Sequence, residues 1–152
     1  MAMRDDTETG GKLGGARPVV PEGLEAYVED WHMSPALAAG GFLFLTGMAA
    51  SENGTVDPDP AVQIEKSFEK VDRTLRAAGV DFSAVVEMTS YHVRLNEHLA
   101  AFRAIRDQYV VPPYPAWTAI EVAGFVTEGA IVELRVIARM GADSASSGGR
   151  VA

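Results

Sequence analysis

Four side chains that could do chemistry lie on two segments near the end of the chain. Residues 115–123 and 132–138 both read as strands, and they carry Trp117 and Glu121, then Glu133 and Arg135. Since alternate side chains of a strand share a face, we expect these four to come together. A carboxylate such as Glu133 can orient water or move protons. Pairing with Arg135 or a neighbouring chain is an equally good reading, because a carboxylate buried without a partner is costly.

The composition excludes or disfavours several classes of site and partner. The 152 residues fit one domain, and the absence of cysteine excludes disulfides, iron–sulfur clusters and a cysteine nucleophile. The net charge of −8, with no lysine or arginine cluster, disfavours nucleic-acid partners. The three histidines are not at metal-ligand spacing, so no metal site is expected.

The chain divides into three parts. Glycines among charges predict a disordered N-terminal extension over 1–17, and a serine- and glycine-rich stretch predicts a disordered tail over 141–152. A single domain is expected over 18–140. The apolar run 36–50 contains glycines and is too short to span a membrane, so it predicts a core strand. With no targeting segment in view, we expect a cytoplasmic protein.

Periodicity supplies the elements that position these side chains. Apolar residues Ile64, Phe68, Val71 and Leu75 predict a helix that ends at Gly79, with Lys70 and Arg73 among the charges on its other faces. A second helix follows a strand over 85–95, and a weaker strand is expected around 26–33. The order β-β-α-β-α-β-β predicts an α+β fold, a mixed sheet with two helices on one face. An oligomer partner would cover the other face.

Four segments in this order resemble the RidA family (YjgF, L-PSP endoribonuclease). They are the glycine-bounded strand 40–47, the helix end 75–79 (Leu-Arg-Ala-Ala-Gly), the strand 86–93 and the final strand pair. The resemblance covers about residues 27–139. It implies a chorismate-mutase-like fold, a homotrimer with ligand clefts between subunits, and hydrolysis of reactive enamines or imines to 2-oxo acids and ammonia. It implies no cofactor and no metal.

The resemblance also assigns site residues one by one. The water-positioning glutamate falls on Glu133, and the glycine that helps hold substrate falls on Gly47. Four further substrate-binding positions follow: the residue before that glycine is Thr46, the family's cleft tyrosine falls on Met33, its carboxylate-binding arginine falls on Trp117, and the small residue two positions later is Ala119.

The replacement of the family's arginine by Trp117 leaves alternatives open. An indole offers one N–H and cannot hold a carboxylate as an arginine fork does. Trp117 is either a wall for a larger, aromatic or less charged ligand, or a filler of the trimer interface. Arg135 either replaces the lost arginine or forms an ion pair with Glu133 or Glu121.

The sequence therefore predicts a RidA-like hydrolase (deaminase) of a small reactive enamine or imine with altered specificity. The alternative is a non-catalytic small-ligand-binding trimer of the same fold. An endoribonuclease is disfavoured by the acidic charge.

Overall fold

The structure is a computed structural model that describes residues 15–141. The expected extension over 1–17 and tail over 141–152 fall almost entirely outside the described residues. Within them one mixed sheet has the strand order β1-β2-β3-β7-β5-β6, with β4 beside β7. The β5–β6 pair is parallel, and the other pairs are antiparallel. The strands are β1 (Arg17–Val19), β2 (Ala36–Ala39), β3 (Phe42–Leu45), β4 (Met48–Ala49), β5 (Val85–His92), β6 (Ala116–Glu121) and β7 (Val132–Arg139).

Two long helices cover one face of this sheet: α2 (Pro60–Ala77) and α3 (Leu95–Tyr109). At the start of α2 the Asp59 carboxylate accepts a hydrogen bond from the Ala61 N–H, and beyond its end Gly79 has a φ of +82°. Phe68 of α2 and Phe102 of α3 are fully buried, with ring centroids 5.5 Å apart. These helices and the sheet confirm the predicted α+β architecture.

The N-terminal half of the sheet differs from the prediction. The expected strand around 26–33 is wrong, because this segment carries a short helix, α1 (Glu25–Glu29). The apolar run 36–50 is not one strand either. It folds into the β2–β3 hairpin and then β4, because Gly40 and Gly41 take φ values of +58° and +82° that permit a tight two-residue turn.

Candidate functional site

A cleft that contains several of the predicted site residues has a volume of about 620 Å³. It lies between the α1 segment, β4 with the loop that follows it, one face of α2, and the loop 125–127. Among its lining residues are three that the sequence predicted for the site, Met33, Gly47 and Glu133. The lining also includes Tyr27, Lys70 and Arg73, which the sequence did not predict for the site.

Glu133 is seated directly on the backbone of Gly47. A Cβ atom added to Gly47 would lie 2.0 Å from Glu133 Oε1 and 2.5 Å from its carboxyl carbon, so only glycine leaves room for this carboxyl group. The side chain is partly buried, and burial raises the pKa of Glu133 above its ordinary value. Within residues 15–141 its carboxylate has no ion-pair partner and accepts no side-chain hydrogen bond. The group is therefore available to water or ligand in the cleft.

Tyr27 brings a phenol into the cleft from α1. Its hydroxyl lies 3.9 Å from Met48 Sδ, and the side chain is partly buried. Burial, followed by the negative charge of Glu133, raises the pKa of Tyr27, whereas the positive charge of Arg73 lowers it. The phenol thus lies within electrostatic reach of both groups. Sequence reasoning missed Tyr27 because it placed a strand over this segment.

Met33 lines the cleft, whereas Thr46 contacts Met33 and is not a lining residue. The Thr46 hydroxyl lies 3.6 Å from Met33 Sδ, and the Met33 N–H donates to the Tyr27 carbonyl at 2.9 Å. The position of the family's tyrosine is thus occupied by a thioether, and the phenol of this cleft comes from six residues earlier in the chain.

Trp117 lies elsewhere. Its indole N–H donates to Ser90 Oγ at 2.9 Å, its ring stacks on Phe102 at 5.9 Å, and the Arg106 guanidinium lies 4.4 Å from the ring centroid. Ser90 is fully buried beneath the helices, so Trp117 faces α3. Neither Trp117 nor Ala119, two residues further along β6, lines the cleft of its own chain.

The expectation that Trp117, Glu121, Glu133 and Arg135 share one face is wrong. Strand β5 separates β6 from β7, and the two pairs of side chains point to opposite faces of the sheet. Arg135 lies opposite Thr89, on the outer face. In the described part of the chain it forms no ion pair with Glu133 or Glu121 and does not line the cleft.

Two cations on α2 were also missed. Lys70 is only 6% exposed, and its ammonium donates to the carbonyls of Ala49 and Ser51, both at 2.7 Å. Burial and the nearby charge of Arg73 lower the pKa of Lys70 to about 8, against a smaller opposing effect of Glu52. Arg73 is exposed and lies one turn further along the helix. Both had been assigned to the solvated faces of α2.

Within residues 15–141, histidine and carboxylate side chains form no group of three that could hold a metal ion. No helix in this described part of the chain is long and apolar enough to cross a membrane.

Comparisons with known proteins agree with this fold. A sequence model described as Endoribonuclease L-PSP matches residues 26–140. The chain is 32% identical over 124 residues to the RutC family protein YjgH of Escherichia coli K12. The aligned region covers 80% of this chain and 93% of that protein. A solved structure of a YjgH protein superposes with a TM-score of 0.76 at 30% identity, covering 83% and 97% of the two chains. Protein PA3499 of Pseudomonas aeruginosa gives a TM-score of 0.74 at 26% identity, covering 82% and 92%.

Proposed function

Because the chain belongs to the endoribonuclease L-PSP (RidA/YjgF) family, we propose that it hydrolyses small reactive imines or enamines in the cleft, with Glu133 as the catalytic group. One observation carries this proposal. The Glu133 carboxyl is partly buried, has no protein partner among the described residues, and is held against Gly47 at the cleft wall. A structural glutamate in such a position would have a partner, since burying an unpaired carboxylate is costly.

The reaction needs one group that can both take and return a proton. The imine reacts as its iminium ion, and the Glu133 carboxylate accepts a proton from water as the water oxygen bonds to the C=N carbon, which gives a neutral carbinolamine. Glu133 then returns that proton to the amino nitrogen. The C–N bond breaks as the C=O bond forms, the hydroxyl proton passes to the Glu133 carboxylate, and ammonia leaves and takes up that proton as ammonium. An enamine enters the same route after protonation at carbon. A carboxyl with a raised pKa suits both directions of transfer near neutral pH.

We also propose that the chain assembles as a homotrimer. Phe42 and Phe44 of β3 and Ile120 of β6 are exposed on the outer face of the sheet, opposite the helices. Exposed apolar side chains on a sheet face favour burial against another subunit. Sedimentation velocity measures this directly: a species three times the mass of the chain is expected, and a monomer at micromolar concentration would contradict it.

A non-catalytic ligand-binding role is the second candidate, and Trp117 is the observation that favours it. The position that carries a carboxylate-binding arginine in typical relatives has an indole whose single N–H is already bonded to Ser90. RNA cleavage is not proposed, since the chain carries a net charge of −8.

The experiment is an imine-hydrolysis assay. An amino-acid oxidase generates imino acids from small, branched and aromatic amino acids, and their decay is followed with the wild type, Glu133→Gln and a control, Glu69→Gln. Glu69 is an exposed carboxylate on α2 outside the cleft. We expect Glu133→Gln to lower turnover by on the order of 100-fold or more and the control to match the wild type. Saturable ligand binding without any accelerated decay would favour the second candidate.

A further inference from the structure

Lys70 and Arg73 stand three residues apart on α2 and line the same cleft as Glu133. Neither forms an ion pair with a carboxylate within the described chain. Asp72, which precedes Arg73 in the chain, is instead bonded to Arg76 at 2.8 Å. Both side chains are therefore available to an anion in the cleft.

The buried cation is partly satisfied by the backbone. An ammonium has three hydrogen-bond donors, and the carbonyls of Ala49 and Ser51 accept two from Lys70. These bonds hold the loop after β4 against α2 and leave one donor without a protein acceptor. The carbonyls bear only partial charges, so much of the cost of burying the ammonium remains. An anion in the cleft would offset that cost.

Arg73, the exposed cation, can bind a carboxylate with a defined orientation. An arginine presents a planar fork of donors that matches the two oxygens of a carboxylate. Arg73, Tyr27 and Glu133 line the same cleft, and the charges of Arg73 and Glu133 both act on the Tyr27 phenol. Asp30 and Glu52 also line the cleft, but neither is ion-paired with Lys70 or Arg73 among the described residues.

We infer that Arg73 and Lys70 bind the carboxylate of the ligand, so that the cleft takes 2-imino acids and their 2-oxo acid products from the α2 side. The inference deepens the proposed function and rests on it for the class of substrate. With the carboxylate at α2 and the C=N carbon toward Glu133, the side chain of the ligand meets Trp31 and Phe125, which also line the cleft. Such a cleft favours substrates with an apolar side chain.

Binding is measured separately from turnover. Isothermal titration with 2-oxobutanoate and with its methyl ester compares the wild type, Arg73→Gln and Arg76→Gln. Arg76 is the matched control, because it is an exposed arginine of α2 that does not line the cleft. We expect Arg73→Gln to raise the Kd of the acid by about tenfold or more. Arg76→Gln should leave that Kd unchanged, and the ester should bind weakly to all three proteins.

The expected kinetic result is a higher KM for imino acids in Arg73→Gln with little change in kcat. Equal binding of acid and ester by the wild type, no binding of the acid, or an unchanged Kd in Arg73→Gln would each overturn the inference. Arg73-dependent binding of the acid without any imine hydrolysis would overturn the proposed function and leave this anion site standing.

Discussion

Gly47→Ala tests whether the position of the Glu133 carboxyl matters, without changing any charged group. The added Cβ would lie 2.0 Å from Glu133 Oε1, whereas ordinary contact begins at 3.4 Å, so the carboxyl oxygen must retreat by 3.4 − 2.0 = 1.4 Å. Gly47 is not among the glycines with positive φ, so alanine fits its backbone. A misplacement of this size costs roughly 100-fold in rate. The free energy of unfolding should change by less than about 1 kcal/mol, because a flexible side chain can move aside.

The assay is kcat/KM for imine hydrolysis beside thermal unfolding. Gly124→Ala is the matched control, since Gly124 has no atom within 4 Å of an added Cβ and no positive φ. We expect full activity in the control and a large loss in Gly47→Ala at nearly equal stability. In a Glu133→Gln background, Gly47→Ala should cost nothing further, because both changes remove the same group. Wild-type activity in folded Gly47→Ala would refute the reasoning.

Two other predictions concern the buried residues beneath α3. His92 is fully buried with Nε2 2.8 Å from Ser90 Oγ, and burial lowers its pKa to about 4. Between pH 6.5 and 4 the unfolded chain therefore binds a proton that the folded chain excludes, and the free energy of unfolding should fall by roughly 3 kcal/mol. Urea unfolding across this range should show that component in the wild type and not in His92→Gln. Trp117→Phe keeps the stack on Phe102 but loses the bond to Ser90, so we expect about 1 kcal/mol lower stability with turnover near that of the wild type. A large loss of activity at unchanged stability would instead place Trp117 in the cleft of a neighbouring subunit.

Much of the fold could be predicted because local patterns agree with tertiary packing. The apolar stripe of α2 faces the core, and Asp59 and Gly79 mark its ends as their residue types suggest. The segment 26–33 was predicted wrongly because the helix there, α1, is only five residues long and buries no residue, so it has no amphipathic period to detect. The same error hid Tyr27, the phenol that the cleft places beside Glu133.

The rest of the site was hidden for a different reason. Periodicity separates apolar from polar positions, and on that test Lys70 and Arg73 belong to the solvated side of α2. What distinguishes them is the loop after β4, whose carbonyls at Ala49 and Ser51 hold Lys70 at 6% exposure. This contact joins residues about twenty positions apart, so the periodicity of the helix cannot reveal it.

Strand alternation in the sequence likewise predicted that Trp117 and Glu133 lie together, although β5 lies between their strands. If the carboxylate of the ligand binds at α2, Trp117 is free to stabilise the α3 side of the sheet. Tryptophan in place of arginine at position 117 would then mean only that the substrate carboxylate binds at α2 instead. The proton transfer proposed for Glu133 would be unaffected.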